Sequence, residues 1–435
     1  MQKLRIRRFG PIKEAEIDVK DIMLFIGPQA SGKSTISKTL YFFKSLRDDL
    51  LRYLLTAIEN RDFKRSVAPF ARQVKEKFLG IYGPVTHFPD MLLEYDYGNR
   101  ITVKVILEKG QFTTVRFEGG FNQRFQQLVE EVENFSGSLS EKKGELLSSH
   151  ELIEKETRRT AFVRNLGEQI NHLFNDDREI IYLPAGRGLI TTMSEQISNI
   201  ELGDKLDDLM RMFIRQINNI RPSFSKGLTE MIYHRQEAAG NKNINLAKEA
   251  RKTIAEILHG RYEYTPFEGE RLYFNDEGGF TKINYASSGQ QESIWILFLI
   301  FLLILNNRKV FLVVEEPEAH LYPIAQKQIV DLLSLLANAN QNQIIITTHS
   351  PYILSSFNNL LYAHTLGQQK EAEVMGIISK DTWIKSDKLD GYMVADGKLK
   401  NIMDRESKLL ETAAIDSASE LILDIFNKLF DLDDE

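Results

Sequence analysis

Residues 23–34 read MLFIGPQASGKS: four apolar residues, then a loop made of Gly27, Pro28, Gln29, Ala30, Ser31, Gly32, Lys33 and Ser34. The loop fits GxxxxGK[ST], and its setting decides the reading. The apolar tetrad is a short buried strand, and residues from Ser34 into the forties carry a helical pattern. Strand, glycine loop and helix form the context in which this pattern cradles phosphate. The glycines let backbone amides close on the phosphates, Lys33 can reach the β- and γ-phosphates, and the Ser34 hydroxyl can bind magnesium. The helix N-terminus points at the anion. The expected ligands are ATP and Mg2+, held by Gly27, Gln29, Ala30, Ser31, Gly32, Lys33, Ser34 and Thr35.

Three later segments carry related chemistry. Residues 310–316, VFLVVEE, are a continuous apolar strand ending in two carboxylates. Such a strand suits a parallel sheet covered on both faces, and ligands bind at the carboxyl ends of strands in these sheets. One carboxylate there can hold magnesium through water, and the next can polarise an attacking water. Read alone, the plainer alternative is a strand that ends in a solvated acidic turn. Residues 286–292, ASSGQQE, put Ser-Ser-Gly before a helix, as an N-cap does. They serve either as a cap alone or as a second phosphate-binding helix terminus, acting on a nucleotide held by another subunit. Residues 344–351, IIITTHSP, are another buried strand, with His349 at the end where a γ-phosphate would lie.

In this order the four segments resemble the ABC-type ATPases, and more narrowly the SMC-like and OLD-like (overcoming lysogenisation defect) AAA ATPases of bacteria. EEPEAHL at 315–321 and THSP at 348–351 are typical strings of that group. The resemblance covers roughly residues 1–45 and 270–370, with weaker support at 179–190. It implies an α/β fold: an ABC-type P-loop ATPase head, a mixed sheet with helices on both faces, carrying an inserted mainly helical region. It implies Glu315 as the water-mediated magnesium contact, in place of the usual aspartate. It implies Glu316 as the catalytic glutamate and His349 as the switch histidine. Ser287, Ser288, Gly289 and Gln290 match the signature that caps ATP across a dimer. YLPAGR at 182–187 resembles the string IPAER, with Gly186 where a glutamate is usual. On that match Arg187 is expected to contact phosphate or a second subunit. His320 is either a contact to the partner subunit or a helix cap.

The implied organisation is a head part at 1–46, a mainly helical insertion with a small β hairpin at 47–178, a return to the head at 179–199, a helical segment at 200–265, and the rest of the head at 266–435. Within the insertion, residues 91–96 and 101–117 look like strands, with Lys109 and Gly110 as a turn, and 121–174 reads as polar helices broken around 135–140. A hairpin turn is expected at 276–279. Short strands are expected near 373–378 and 392–394, and a helix at about 417–430.

Of 435 residues, 43% are hydrophobic and 27% charged, an ordinary globular balance, so neither a disordered nor a fibrous chain is indicated. The net charge of −6 argues against a surface that is basic throughout. The chain has no cysteine, which excludes disulfides, thiolate metal sites and cysteine nucleophiles and fits a reducing cytoplasm. The N-terminal residues lack an apolar signal core, and the longest apolar run, 294–305, is shorter than a membrane span. The expectation is a cytoplasmic protein with no membrane partner.

The nucleotide reading requires a homodimer or higher homo-oligomer. Its output is open between classes. One is the sensor ATPase of a bacterial anti-phage defence system, resembling stand-alone subunits of the PARIS or Septu type, with a protein effector partner that could be a nuclease. The string LDGYMVADGKLKNIMDRESKLL at 389–410 resembles tails of that group. Another is a DNA-repair or chromosome-associated ATPase that clamps DNA, with Lys3, Arg5, Arg7 and Arg8 as either a basic contact or a solvated strand face. A transporter ATPase is disfavoured, because about 130 residues are inserted after the loop. The stretch after His349 is short for a fused nuclease domain.

Overall fold

The structure is a computed structural model that describes residues 1–85, 87–88, 90–108, 112–138, 149–192, 207–237, 243–274, 279–412 and 422–430. Its strands in chain order are β1 (Lys3–Phe9), β2 (Ile12–Asp18), β3 (Ile22–Ile26), β4 (Met91–Asp96), β5 (Thr102–Glu108), β6 (Phe112–Glu118), β7 (Glu179–Leu183), β8 (Gly260–Thr265), β9 (Gly269–Phe274), β10 (Phe280–Lys282), β11 (Val310–Glu315), β12 (Gln343–Thr348), β13 (Leu389–Ala395) and β14 (Lys398–Asn401). The chain divides into two units. One holds 1–19, 38–180 and 396–398, and the other holds 20–37, 181–395 and 399–435.

The first unit is built on a five-stranded sheet in the order β2-β1-β4-β5-β6. Every pairing in it is antiparallel. The strands alternate, as a sheet with one covered face requires. Leu4, Ile6, Leu93, Tyr95, Val103 and Val105 are buried. On the other face Arg5 pairs with Glu16 and Glu94, and Lys104 with Glu94 and Glu118. The expected small hairpin at 91–117 is therefore one end, β4-β5-β6, of a larger sheet that includes β1 and β2. Alternation marks a one-faced strand but does not say which strand it joins. The turn expected at Lys109 and Gly110 lies outside the described residues. Helices Phe121–Ser138 and Ser149–Phe174 pack on each other, with Phe135 stacked on Phe162 at 3.8 Å. The helix Lys33–Asn60 brings Lys44 into this unit, where its ammonium meets the Asp176 carboxylate, both side chains almost fully buried. Burial lowers the Lys44 pKa to about 8 against the opposing pull of Asp176.

The second unit holds a six-stranded sheet in the order β14-β13-β3-β12-β11-β7. The four inner strands β13, β3, β12 and β11 run parallel. Residues of both parities in β3, β11 and β12 are buried: Leu24, Leu312 and Ile346 on one face, and Phe25, Val313 and Ile345 on the other. Both faces are thus covered, which is why these strands read as unbroken apolar runs. The first face packs against the helix Ser288–Leu305, whose side chains from Ile294 to Phe301 are all buried. That helix is long and apolar enough to cross a membrane by length and composition, but most of it is inside the unit. A second, antiparallel sheet, β10-β9-β8, lies in the same unit. The turn expected at 276–279 falls mostly outside the described residues. The strand expected near 373–378 is instead the helix Glu371–Met375. Its residues are mostly helix formers, and it seats only Val374, in a small cluster with Ala363 and Trp383. The helix expected at about 417–430 is described only over 422–430.

Asp176→Ala leaves the Lys44 ammonium buried without its carboxylate. It is expected to cost about 3–5 kcal/mol in denaturant unfolding, and the paired replacement Lys44→Met with Asp176→Leu much less.

Candidate active site

Parallel register sets the site. Ile26 lies opposite Thr348, and Thr347 opposite Glu315, so three strands end level. The glycine loop leaves β3 at Gly27, with φ of +153°. A Cβ there would come within 2.1 Å of the Val394 carbonyl oxygen, so no side chain fits. Ala30 (φ +59°) and Gly32 (φ +110°) complete a backbone that turns amides inward. Gln29, Ala30 and Ser34 are exposed, Ser31 and Thr35 half-buried, and Gly32 and Lys33 buried. The Ser31 hydroxyl is buried with no hydrogen-bond partner. A glycine cradle with an orphaned hydroxyl fits a phosphate chain, whose oxygens would supply the missing acceptor.

Lys33 begins the helix and folds back over the loop. Its Nζ donates to the carbonyls of Gly27 (2.9 Å) and Pro28 (2.8 Å) and meets His349 Nδ1 at 3.4 Å. Burial lowers its pKa, while the charges of Glu316, Glu318 and Glu315 oppose that shift. His349 Nε2 lies 3.2 Å from Glu316 Oε1. An ammonium can only donate, so Nδ1 accepts from it and Nε2–H donates to Glu316, which assigns the tautomer. Lys33, His349 and Glu316 are thus one hydrogen-bonded chain. Glu315 is buried, and its carboxylate accepts from Ser37 Oγ and the Ala185 amide, each at 3.3 Å. Ser37 stands one helical turn after Ser34, and its one hydroxyl proton is shared between the Ser34 carbonyl and Glu315. Among the described residues no three His, Cys, Asp or Glu side chains gather as a metal cluster. Ser34 and Glu315 fit magnesium, which usually keeps several waters and takes one or two protein ligands plus phosphate oxygens.

Glu318 was not singled out from the sequence. It is buried, and its Oε1 accepts from Thr348 Oγ1 (2.6 Å) and from the His349 amide (2.8 Å). Burial raises its pKa. Its Oε2 is buried without a partner. The only signal was a third acid in EEPE, two residues past the pair, which composition alone cannot separate from a solvated turn.

Arg187 does not fit its expected role as a phosphate or inter-subunit contact. It is fully buried, and its guanidinium donates to carbonyls of Pro184, Glu292, Glu315 and Glu316. A side chain sealed in this way cannot reach a bound anion. Ser287 and Ser288 are exposed at the start of the helix Ser288–Leu305, and Gly289 and Gln290 are half-buried. Ser287 and Gln290 form a reciprocal capping box, and Gln290 Nε2 also donates to the Leu258 carbonyl at 2.7 Å. Gly289 lies against His320, whose carbonyl oxygen would be 2.7 Å from a Cβ. His320 has φ of +60° and sits in the turn after the acidic pair. The bonds of the 287–290 segment therefore run to its own surroundings, while its two serines are exposed to solvent.

The AAA ATPase domain family matches residues 1–80 and 93–354. No curated protein matches the sequence. Solved structures similar to the chain include an SMC head domain from Thermotoga maritima, at 14% identity over 92% of this chain and 97% of that one, with a TM-score of 0.35. An Smc head domain with an extended coiled coil, bound to the C-terminal domain of ScpA and derived from Pyrococcus furiosus, is similar at 14% identity over 98% and 100%, with a TM-score of 0.38. The recombination mediator protein RecF is similar at 11% identity over 92% and 97%, with a TM-score of 0.34.

Glu318→Gln keeps the acceptor for Thr348 and His349 and removes a carboxyl group that resists ionisation. A raised folded-state pKa means the native protein binds more protons than the unfolded chain. Wild-type stability from this group is therefore lost as pH rises from the ordinary glutamate range through the raised value. The melting-temperature gain of Glu318→Gln over wild type should grow between pH 4 and pH 7. Glu318→Ala should cost about 1–3 kcal/mol by orphaning its donors.

Proposed function

The chain belongs to the AAA ATPase domain family and is an ATPase, and we propose that it works as an ABC-type, ATP-driven dimeric switch. The observation that carries this reading is the Lys33–His349–Glu316 chain, level with Glu315 at the ends of parallel strands. In the proposed cycle Lys33 exchanges its two loop carbonyls for the β- and γ-phosphates. Glu316 takes the proton of the attacking water, and His349 holds Glu316 through Nε2–H while its Nδ1 stays on the Lys33 ammonium. Ser34 and Glu315 would hold magnesium, which would supply charge neutralisation at the phosphates. The exposed Ser287 and Ser288, with Gly289 and Gln290, cap the triphosphate of a second copy. ATP then closes the dimer through contacts made only to the γ-phosphate, and hydrolysis releases it.

The proposed output is control of a protein effector in bacterial anti-phage defence, with the regions 47–178 and 200–265 carrying the motion. Support comes from the 389–410 segment, which resembles tails of such subunits. A direct DNA clamp through the first strand is less well supported. Lys3, Arg5, Arg7 and Arg8 each have a carboxylate partner, among Glu14, Glu16, Asp18, Asp90 and Glu94. Such pairing leaves little uncompensated charge for phosphate backbone.

Lys33→Ala should abolish binding of a fluorescent ATP analogue. Glu316→Gln should bind ATP, hydrolyse it about 100- to 10,000-fold more slowly, and sediment as a dimer in ATP. ATP binding unchanged by Lys33→Ala would sink the nucleotide assignment, and a monomeric Glu316→Gln in ATP would sink the switch. Co-purification of the neighbouring gene's product, altered by Glu316→Gln, tests the effector reading.

A further inference from the structure

Arg187 has no role in the chemistry above, yet it is tied to both halves of it. Its Nη1 donates to the carbonyl of Glu315 at 2.7 Å and of Pro184 at 2.6 Å, and its Nη2 to the carbonyl of Glu316 at 2.9 Å. Its Nε donates to the Glu292 carbonyl at 3.0 Å. The Glu292 carboxylate returns the contact, accepting from the Arg187 amide and the Gly188 amide, each at 2.9 Å. Glu292 stands on the same helix as Ser288, Gly289 and Gln290, about one turn further in.

We propose that Arg187 is a positioning residue for Glu316, and that Glu292 makes it the link between the Ser287–Gln290 end of the helix and the acidic pair. Glu316 sits at φ of +45°, a left-handed conformation that L-residues with a side chain adopt only under constraint. The constraint is on both sides of the residue. Its amide donates to the Thr347 carbonyl at 2.9 Å, and its carbonyl is held by Arg187. The guanidinium is planar and rigid, so it fixes the carbonyls of Glu315 and Glu316 relative to each other as well as to Glu292. All of it is buried, so no water is at hand to replace a broken bond. A displacement of the helix start is thereby passed to the backbone that aims the Glu316 carboxylate. The inference rests on the reading of 287–290 as the cap on a second copy's nucleotide. Given that reading, each chain sets its own hydrolytic glutamate according to whether its partner holds ATP.

The test is steady-state hydrolysis against ATP concentration at several protein concentrations, for wild type, Glu292→Gln and Arg187→Lys. Each Glu292 oxygen accepts one amide, and glutamine replaces one of those oxygens by an NH2 group that can only donate; lysine cannot span four carbonyls. Wild type should be sigmoidal in ATP. Both variants should still bind the ATP analogue and dimerise, but lose sigmoidality and about 100-fold in kcat. Should Arg187→Lys fail to fold, Glu292→Gln decides alone. A variant that keeps wild-type kcat and sigmoidality overturns the link, as does one whose loss of kcat is matched by an equal loss of ATP binding. A wild type that is hyperbolic in ATP at every protein concentration overturns the two-copy cap itself, and with it the coupling.

Discussion

Parallel pairing of β12 with β3 on one side and β11 on the other is the constraint on which the site depends. That register puts Ile26, Thr348 and Glu315 at one edge. The glycine loop, the histidine and the acidic pair are simply the next residues along each strand. No loop has to reach across the sheet. The strands can hold this register because their faces are both buried, so slipping by one residue would move apolar side chains between two differently shaped cores.

Around that edge the molecule buries more charge than a stable core needs. Lys33, Arg187, Glu292, Glu315 and Glu318 are all buried or nearly so. None of them is left to pair by charge alone. Lys33 and Arg187 place donors on backbone carbonyls, Glu292 accepts from two backbone amides, and Glu315 and Glu318 each accept from a backbone amide and a side-chain hydroxyl. The site is therefore fixed to the backbone of its own loops. The half-exposed members, Glu316 and His349, are the ones that the chemistry requires to meet solvent and substrate.

The parts legible in the sequence were those where chemistry dictates residue type and spacing. The loop at 27–34, the acidic pair after an apolar strand, and the histidine after another could be placed because few other residues serve there. Burial was not legible at Arg187. An arginine in a loop reads as a surface contact, and only the folded chain shows four carbonyls converging on it. Glu318 was hidden for the converse reason, as one more acid in an acidic turn. The strand on the other side of β1 was also out of reach. Its alternation is satisfied by any one-faced sheet, and the pairing with Met91–Asp96 spans most of a hundred residues. The segment Glu371–Met375 misled because one valine in a short stretch suits helix and strand alike.

The central claim is that one nucleotide site is assembled from two copies of the chain. Mixing two separately inactive variants tests it most directly. Lys33→Ala destroys the loop and leaves the exposed serines intact, and Ser287→Arg does the reverse. In a two-fold dimer the mixed species carries one intact composite site, so exchange of subunits should give an ATP-dependent mixed dimer in sedimentation, which neither variant forms alone. A mixture that stays monomeric in ATP would contradict the account.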